Sequence, residues 1–544
     1  MSKKRTLLFI LLPLIIAICI VFGIFIGAFL SPSNASNETL IFPPTQRFNT
    51  GTKLNEILNF IEDTYVDSVD KKDITERSIT SMLTTLDPHS YYIPAKEFSG
   101  MNDPLEGNFE GIGVEFRIKD DTILIISPIV NGPSAKLGIK AGDRIVKVDT
   151  TDVAGVGINN ANVIKLLKGP RGTKVNVEIV RRGSKKRKHF EITRDRIPIF
   201  SIDAPYMMQD NIGYLRITRF SKTTYSEFMK AARDLKNQGM EKLIIDLRSN
   251  GGGVLGAATQ IADEILMKNK MIVYTDGRTR SKDEYFSTRG GILETCEIAI
   301  LINENSASAS EILAGAIQDN DRGTIIGRRS FGKGLVQEQV MWPDGSALRL
   351  TVARYYTPTG RCIQKDYGTS IEDYHAEAYN RYENGELLSA DSIQFPDSLK
   401  FYTPEGKVVY GGGGIMPDLF IPLDTTNGTN YLYAMRYKGV IQDFALNYTD
   451  KNRKKLNSDY TDAVDFKDNF TISDDLFNGI IKFAEANEIE RNLPEIITSK
   501  ELILRGLKAA ISRNLYNDFG YYVIVNETDK TVQRALKSFK QRKK

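Results

Sequence analysis

The chain has 544 residues, which suggests about three to four domains at ~150 residues each. It carries 72 Lys and Arg against 68 Asp and Glu, and a net charge of only +4 argues against a nucleic-acid-binding protein. Its three cysteines lack metal-ligand spacing and its three histidines form no His-Glu-x-x-His pattern, which argues against a zinc ribbon, a disulfide scaffold and a zinc hydrolase.

The N-terminus has the features of a membrane segment. A basic cluster at residues 3–5 precedes an uncharged run of 25 residues, 6–30. As a helix this run would be ~37 Å long, enough to cross a hydrocarbon core of ~30 Å, and it exceeds the ~7–15 apolar residues of a secretory signal. We therefore expect an uncleaved anchor over residues 1–30, with cleavage near Ala35 as the alternative. The basic cluster should stay in the cytoplasm, leaving the rest of the chain outside it.

A linker and a helical region are predicted next. Residues 31–50 are rich in Ser, Asn, Pro and Thr, as linkers are. In the N-terminal helical region, 51–92, apolar residues follow helical spacing: Leu54, Ile57, Leu58, Ile61 and Tyr65. Asp87-Pro88 ends this pattern.

The pattern from Gly111 onward is that of a small β domain. Strands are predicted at 122–126, 144–148 and 175–179, and a helix at 160–168. With the Pro-Ser-Ala…Gly-Ile…Ala-Gly-Asp stretch of residues 133–143, the unit resembles a PDZ domain, expected over 93–190. PDZ domains hold a peptide C-terminus on backbone N–H groups, a role that the resemblance gives to Gly111, Ile112, Gly113 and Val114. A plain β domain with a glycine turn is the alternative.

Strands and helices alternate over residues 211–360, which predicts an α/β domain. Strands are predicted at 212–217, 243–247, 271–274, 298–302 and 324–326, and helices at 225–236, 255–267 and 308–319. The polar, tyrosine-rich residues 361–410 predict a long surface insertion. We expect this domain to span 191–425 and a helical C-terminal region to span 426–544. The basic residues of 181–188 indicate a solvated hairpin rather than a lipid or nucleic-acid contact.

Three turns of the α/β domain carry candidate chemistry. In the first, residues 246–253, glycines allow backbone N–H groups to approach an anion or an oxyanion. In the second, 303–311, Ser308 starts a helix; Ser308-x-x-Glu311 fits a capping box, but the position also suits a nucleophile. The third, 327–334, mimics a phosphate-binding loop but has glycine at 334 where Ser or Thr is required. Its Lys333, if buried, would have a lowered pKa and could act as a general base.

Together these turns describe a serine activated by a lysine beside backbone N–H donors. The combination resembles the carboxyl-terminal processing peptidases, also called tail-specific proteases. The resemblance covers roughly 52–425 and rests on Ser-Ala-Ser-Ala-Ser-Glu-Ile (306–312), Gln318-Asp319, Phe-Gly-Lys-Gly-Leu-Val-Gln (331–337), Leu-Asp-Pro-His-Ser (86–90) and the preceding PDZ domain.

The resemblance implies a role for each matching position. Ser308 would be the nucleophile, Lys333 the general base and Gln337 the residue that orients its amine. The N–H groups of Gly252 and Ala309 would form the oxyanion hole, and Asp319 would support the site without reacting. Gly251 departs from the family's usual turn and would loosen that loop. His89 is expected to be structural.

The implied fold is a multidomain α/β protein: a ClpP/crotonase-like protease core with an inserted or preceding PDZ domain, an N-terminal membrane helix and helical terminal segments. The implied function is a serine endopeptidase that selects proteins with apolar C-termini, without metal or cofactor. The expected location is the extracytoplasmic side of a bacterial inner membrane. A homo-oligomer and an adaptor or regulatory protein are the expected partners. A catalytically silent PDZ scaffold and a crotonase-type acyl-CoA enzyme are the alternatives.

Overall fold

The computed structural model describes residues 50–541 apart from positions 182, 183, 185, 289 and 369. The expected anchor at 1–30 and the expected linker up to residue 49 lie outside the described residues. Within the described part, no helix combines the length and the apolar character that crossing a membrane requires. The chain divides into two compact units, one ending at Thr75 and the other beginning at Glu76.

The predicted N-terminal helical region contains two helices, interrupted at residues 65–70. Its elements are α1 (Thr50–Thr64) and α2 (Lys71–Thr84), followed by β1 (Tyr91–Ile93) and α3 (Ala95–Glu106). The Asp87-Pro88 stop was therefore predicted within a few residues, whereas the interruption was not.

An antiparallel β domain follows. Its elements are β2 (Asn108–Gly111), β3 (Val114–Lys119), β4 (Thr122–Pro128), α4 (Pro133–Lys136), β5 (Arg144–Val148), β6 (Thr151–Asp152), α5 (Asn160–Leu167), β7 (Lys174–Val180), β8 (Lys188–Thr193) and β9 (Asp195–Pro198). The sheet order is β3-β4-β5-β7-β8, with β6 on β5. Ile123, Ile145, Val177 and Val163 of α5 belong to its buried core. Strands β2 and β9 pair with each other where the chain enters and leaves this domain.

The α/β domain contains two sheets. Its elements are β10 (Ile202–Met207), β11 (Ile212–Ile217), α6 (Thr224–Asn237), β12 (Lys242–Asp246), α7 (Leu255–Asp263), β13 (Met271–Asp276), β14 (Asp283–Phe286), β15 (Glu297–Ile302), α8 (Ala309–Asp319), β16 (Gly323–Gly327), β17 (Leu335–Met341) and β18 (Ala347–Tyr356). The larger sheet has the order β10-β11-β12-β15-β16, with β11, β12, β15 and β16 parallel. In the second sheet, β18 pairs with β1, β13 and β17.

The remaining elements are mainly helical. They are α9 (Ile371–Glu383), β19 (Lys400–Tyr402), β20 (Val408–Tyr410), β21 (Leu419–Phe420), α10 (Asn430–Tyr437), α11 (Val440–Asp459), α12 (Ala463–Asn469), α13 (Asp474–Ala486), α14 (Leu493–Val525) and α15 (Lys530–Gln541), with short 3-10 turns at Ala390–Ser392 and Asp397–Leu399. Strand β21 extends the larger sheet beside β16. Helix α14 is kinked at Tyr516 and Asn517.

Helices cover both faces of the larger sheet. Side chains of α6, α7 and α8 form one buried cluster with one face of the strands. On the opposite face, Val532, Leu536 and Phe539 of α15 pack in a cluster with Tyr214 and Ile326. The C-terminal helix therefore completes the core of the α/β domain, although its sequence lies in the separate helical region.

The predicted surface insertion at 361–410 is mostly exposed, as expected, but several of its side chains are buried. Arg361, Tyr374 and Arg381 are buried there. The Arg381 guanidinium donates to the carbonyl oxygens of Arg329 and Ser330 at 2.8 and 3.0 Å. Polar composition did not reveal these positions because the two guanidinium groups donate to backbone carbonyls and to other side chains in the interior rather than to water.

Candidate active site

Ser308 occupies the turn between β15 and α8, directly before the first helical residue. Its φ of +56° lies in the left-handed region, which costs a non-glycine residue on the order of 1–3 kcal/mol. Gly252 lies against this turn: a Cβ at position 252 would come within 2.7 Å of the Ser308 Cβ and of the Ala307 carbonyl oxygen. The close approach of the two turns therefore requires glycine at 252.

Glu311 joins the serine turn to the lysine turn. Its buried carboxylate accepts hydrogen bonds from the backbone N–H of Ser308 (2.8 Å), Gly332 (2.7 Å) and Lys333 (2.9 Å), and from the Ser330 hydroxyl (2.5 Å). Burial raises the pKa of Glu311 to about 7, although the four donors act in the opposite direction. The predicted Glu311 cap is thus present, and it also positions a segment 20 residues further along the chain.

Lys333 follows β16 and precedes β17. Its Nζ donates to the Gln337 Oε1 at 2.9 Å, and the Gln337 Nε2 donates to the His89 carbonyl oxygen at 2.5 Å. Burial lowers the pKa of the Lys333 amine, and the positive charge of Arg349 lowers it further. A half-buried amine with a lowered pKa and a neutral acceptor is suited to act as a general base.

The His89 carbonyl oxygen that accepts the Gln337 hydrogen bond belongs to the Leu-Asp-Pro-His-Ser motif. The Asp87 Oδ1 accepts the backbone N–H of His89 (2.7 Å) and Ser90 (2.8 Å), so the carboxylate fixes the turn whose carbonyl holds Gln337. The His89 ring lies 2.6 Å from the Tyr374 hydroxyl. The expectation that His89 acts structurally agrees with this arrangement.

Tyr355, on β18, is a site residue that the sequence did not reveal. Its buried hydroxyl lies 2.7 Å from the Lys333 carbonyl oxygen and 3.1 Å from that of Ser308. Burial raises the Tyr355 pKa well above its usual range, so the hydroxyl remains a donor. Glu311 and Tyr355 together fasten the backbones of Ser308 and Lys333 through their N–H and carbonyl groups. No motif points to a tyrosine 22 positions after the lysine, whereas Glu311 was visible as a cap.

The glycine turn contributes candidate oxyanion donors. Gly251, Gly252 and Gly253 line the same cavity as Ser308. The Gly252 N–H donates to the Asn250 Oδ1 at 2.9 Å, so this donor must exchange or share that bond to contact an oxyanion. Within the described residues no hydrogen-bond acceptor faces the Ala309 N–H. Of the two predicted oxyanion donors, Ala309 therefore has the unused N–H, but its residue is buried and does not line the cavity, whereas Gly252 does.

One cavity of about 540 Å³ brings the candidate groups together. Ser308, Lys333, Gln337 and the glycine turn line it, with an apolar wall of Leu105, Val254, Leu255, Ile312 and Leu335. A hydroxyl, an amine whose pKa is lowered by burial, and backbone N–H groups in one cleft are the parts needed for acyl transfer.

Two predicted sites lie away from this cavity. Asp319, at the far end of α8, pairs with Arg361 at 2.6 Å, and both side chains are fully buried. In the loop from Gly111 to Val114, the Ile112 carbonyl accepts the Ser134 hydroxyl at 2.6 Å, and Gly113 has a φ of +73°. Neither group lines the cavity that holds Ser308.

Three family models match separate parts of the chain. A PDZ domain model matches residues 111–193, and a model described as peptidase family S41 matches residues 211–372. A family of unknown function, DUF8443, matches residues 431–517 in the helical region. The S41 match contains Ser308, Lys333 and Gln337, and the PDZ match contains the loop at Gly111–Val114.

Curated relatives share these segments. The carboxy-terminal-processing protease of Bartonella bacilliformis is 37% identical over 351 residues, which cover 62% of this chain and 78% of that protein. The carboxy-terminal processing protease CtpB of Bacillus subtilis is 33% identical over 372 residues, or 68% of this chain and 75% of that protein. Among solved structures, a photosystem II D1 C-terminal processing protease is 26% identical, covering 68% of this chain and 86% of that chain, with a TM-score of 0.35. The relationship to these proteases therefore rests on the sequence identities and not on the structural superposition.

Proposed function

The chain belongs to the family of carboxy-terminal processing proteases, and we propose that in this serine protease Ser308 is the nucleophile and Lys333 the general base. The observation that carries the assignment is the shared cavity, in which Glu311 hydrogen-bonds to the backbone N–H of both residues. A single buried carboxylate thereby sets the position of nucleophile and base relative to each other.

The proposed reaction proceeds through an acyl-enzyme. The neutral Lys333 amine takes the Ser308 hydroxyl proton as the oxygen attacks the scissile carbonyl carbon. The tetrahedral intermediate places its oxyanion on the N–H groups of Ala309 and Gly252. When it collapses, the C–N bond breaks and the Lys333 ammonium gives its proton to the leaving amine. Water, deprotonated by Lys333, then hydrolyses the ester and restores the Ser308 hydroxyl.

Gln337 orients the base in this scheme. Its Oε1 accepts from the Lys333 Nζ at 2.9 Å, and its amide is fixed by the His89 carbonyl. Because this acceptor is neutral, it can orient the amine without the strong stabilisation of the ammonium form that a carboxylate would provide. Asp319 has a supporting role at the other end of α8.

Substrate selection is assigned to the PDZ domain. The loop Gly111, Ile112, Gly113 and Val114 would hold a substrate's C-terminal carboxylate, and the chain before it would add to the edge strand β3. Proteins with apolar C-termini are the proposed substrates. The relatives are proteases, which gives no support to a silent PDZ scaffold.

The location and assembly of the enzyme are proposals from the sequence. The apolar run at 6–30 after a basic cluster supports an inner-membrane anchor, with the protease on the extracytoplasmic side of a bacterial envelope. A homo-oligomer through the terminal helical segments is also proposed, to be checked by measuring the mass of the purified protein in solution.

Ser308→Ala tests the assignment most directly. We expect cleavage of an apolar-tailed protein substrate to fall on the order of 10⁴-fold or more, and labelling by a serine-directed probe to disappear. Ser310→Ala is the matched control, because its hydroxyl donates to the Asn250 carbonyl oxygen (2.9 Å) and does not line the cavity. Full cleavage by Ser308→Ala would reject Ser308 as the nucleophile.

A further inference from the structure

The charges that line the active-site cavity are unequally neutralised. Besides Lys333, three charged side chains line it: Glu106, Lys222 and Arg349. Lys222 and Glu106 form an ion pair at 2.7 Å, so their charges offset each other. Arg349 is left as a cation that no cavity-lining carboxylate neutralises.

The partners of Arg349 are neutral. Its Nη1 donates to the Tyr91 hydroxyl at 2.5 Å and its Nη2 to the Gln339 Oε1 at 2.7 Å, with the guanidinium 5.3 Å from the Tyr91 ring centre. In the part of the chain that the structure describes, no Asp or Glu oxygen forms an ion pair with it. These contacts come from adjacent strands, because β18 pairs Arg349 with Tyr91 on β1 and with Gln339 on β17. The guanidinium is thus held in place while its charge stays unpaired.

A fixed, half-buried guanidinium has donors left for a ligand. Arginine offers five N–H donors in a planar fork, which matches the two oxygens of a carboxylate. A charge-assisted hydrogen bond of this kind is worth about 1.5–3 kcal/mol, or roughly a tenfold to hundredfold difference in binding. The cavity that receives the scissile bond therefore offers one specific place for a negative charge.

We propose that Arg349 is a substrate-binding residue that takes a carboxylate of the bound peptide close to the scissile bond. The proposal rests on the proposed protease function and adds a charge preference to it. The carboxylate has two sources: an acidic side chain flanking the cleavage site, or the substrate's own C-terminus when cleavage occurs near it. In both cases a carboxylate binds to the Arg349 guanidinium.

Matched peptides separate these sources. The full-length enzyme is given apolar-tailed peptides that carry Glu, Gln or Lys at one position at a time, on either side of the scissile bond. A second series compares a free with an amidated C-terminus. We expect Glu to be preferred over Gln by about tenfold at one position, mainly through KM, or the free terminus over the amide by the same factor. Both outcomes support the proposal and identify the source.

Charge variants then assign the preference to Arg349. Arg349→Gln should remove it, Arg349→Lys should keep part of it, and Arg349→Glu should favour the Lys peptide instead. Arg354→Gln, an exposed arginine of the same strand that does not line the cavity, should leave the preference intact. Rates are compared on the alkaline plateau, where Lys333 is neutral in every variant, and thermal unfolding checks that each variant is folded.

Two outcomes overturn the proposal while the protease function stands. One is equal cleavage of the charged and neutral members of both peptide series by the wild type. The other is an equal loss of cleavage rate for all peptides in Arg349→Gln. Arg349 would then act only by lowering the Lys333 pKa and would not bind the substrate. Failure of the proposed function is distinct from both, since none of the peptides would then be cut in a Ser308-dependent manner.

Discussion

The two ends of helix α8 both carry a fully buried carboxylate, but they hold it in opposite ways. At the N-terminal end, Glu311 is surrounded by three backbone N–H groups and one hydroxyl, and none of the described cationic side chains forms a hydrogen bond with it. At the C-terminal end, about 12 Å along the helix, Asp319 pairs with the Arg361 guanidinium at 2.6 Å. Only the first end touches the segments that carry Ser308 and Lys333.

The difference shows how the helix divides its tasks. The ion pair of Asp319 and Arg361 locks the segment after β18 to the helix, and the Thr359 hydroxyl adds a further bond to Asp319 at 2.7 Å. Burial raises the pKa of the Glu311 carboxyl group to about 7, so ionising it in the folded protein costs stability. We infer that the Asp319 end secures the fold and the Glu311 end positions the reacting groups.

Asp319→Asn should give the largest effect on stability. It leaves the Arg361 charge buried without its partner, which we expect to lower the free energy of unfolding by about 3–5 kcal/mol. Activity per folded molecule should stay within a few-fold of the wild type at low temperature, because Asp319 does not line the cavity. Urea unfolding and kcat/KM measured on the same samples check both statements.

A double variant sharpens this result. Replacing Asp319 and Arg361 together by Leu and Met removes both buried charges and should recover most of the lost stability. If Asp319→Asn instead abolished activity while the protein stayed fully folded, the division of tasks along α8 would be wrong.

Glu311→Gln should produce the reverse pattern. An amide offers one acceptor oxygen, so some of the four donors at Ser308, Ser330, Gly332 and Lys333 would lose their partner. We expect kcat to fall by roughly 10²-fold, because nucleophile and base are both displaced, with KM little changed. Steady-state kinetics above pH 8 measure this effect.

The pH dependence of stability gives an independent check on Glu311. Its pKa rises from 4.5 in the unfolded chain to about 7 in the folded one, so the folded protein binds more protons between these values. The contribution of Glu311 to stability is therefore fully present below pH 4.5 and is lost as the pH rises through 7. Glu311→Gln should remove this part of the decline. A decline of unchanged slope in the variant would contradict the raised pKa.

The local parts of this architecture could be predicted from the sequence. Strands Ile212–Ile217 and Arg144–Val148 coincide with the predicted bounds, because glycine turns and apolar runs mark them along the chain. The packing of α15 against the larger sheet was not predicted. A helix pattern shows that one face is apolar, but not which distant surface covers it.

The candidate site also contains residues that the sequence predicts and residues that only the fold reveals. Ser308, Lys333 and Gln337 stand in short motifs, and the structure brings them into one cavity. Tyr355 and Arg349 lie on β18 among ordinary strand residues, and they reach the site only because β18 pairs with β17 and β1. Pairing between strands depends on the whole fold, so neither residue carried a signal of its own.

Gln337→Glu should give the smallest effect. It tests whether the Glu311 end of α8, where Ser308 and Lys333 lie, depends on having an uncharged acceptor for the Lys333 amine. A carboxylate 2.9 Å from the Lys333 Nζ favours the ammonium form and raises the lowered pKa of Lys333. The base must be neutral to act, so the acid limb of kcat/KM should move to higher pH, with a roughly tenfold loss at pH values on that limb. Gln337→Met, which removes the acceptor without adding charge, should lower the plateau but leave the limb at or below its wild-type position. An alkaline shift of equal size in both variants would mean that the lost orientation of the Lys333 amine, and not the added charge, moves the acid limb. The uncharged state of the residue at 337 would then have no bearing on the pH dependence of cleavage.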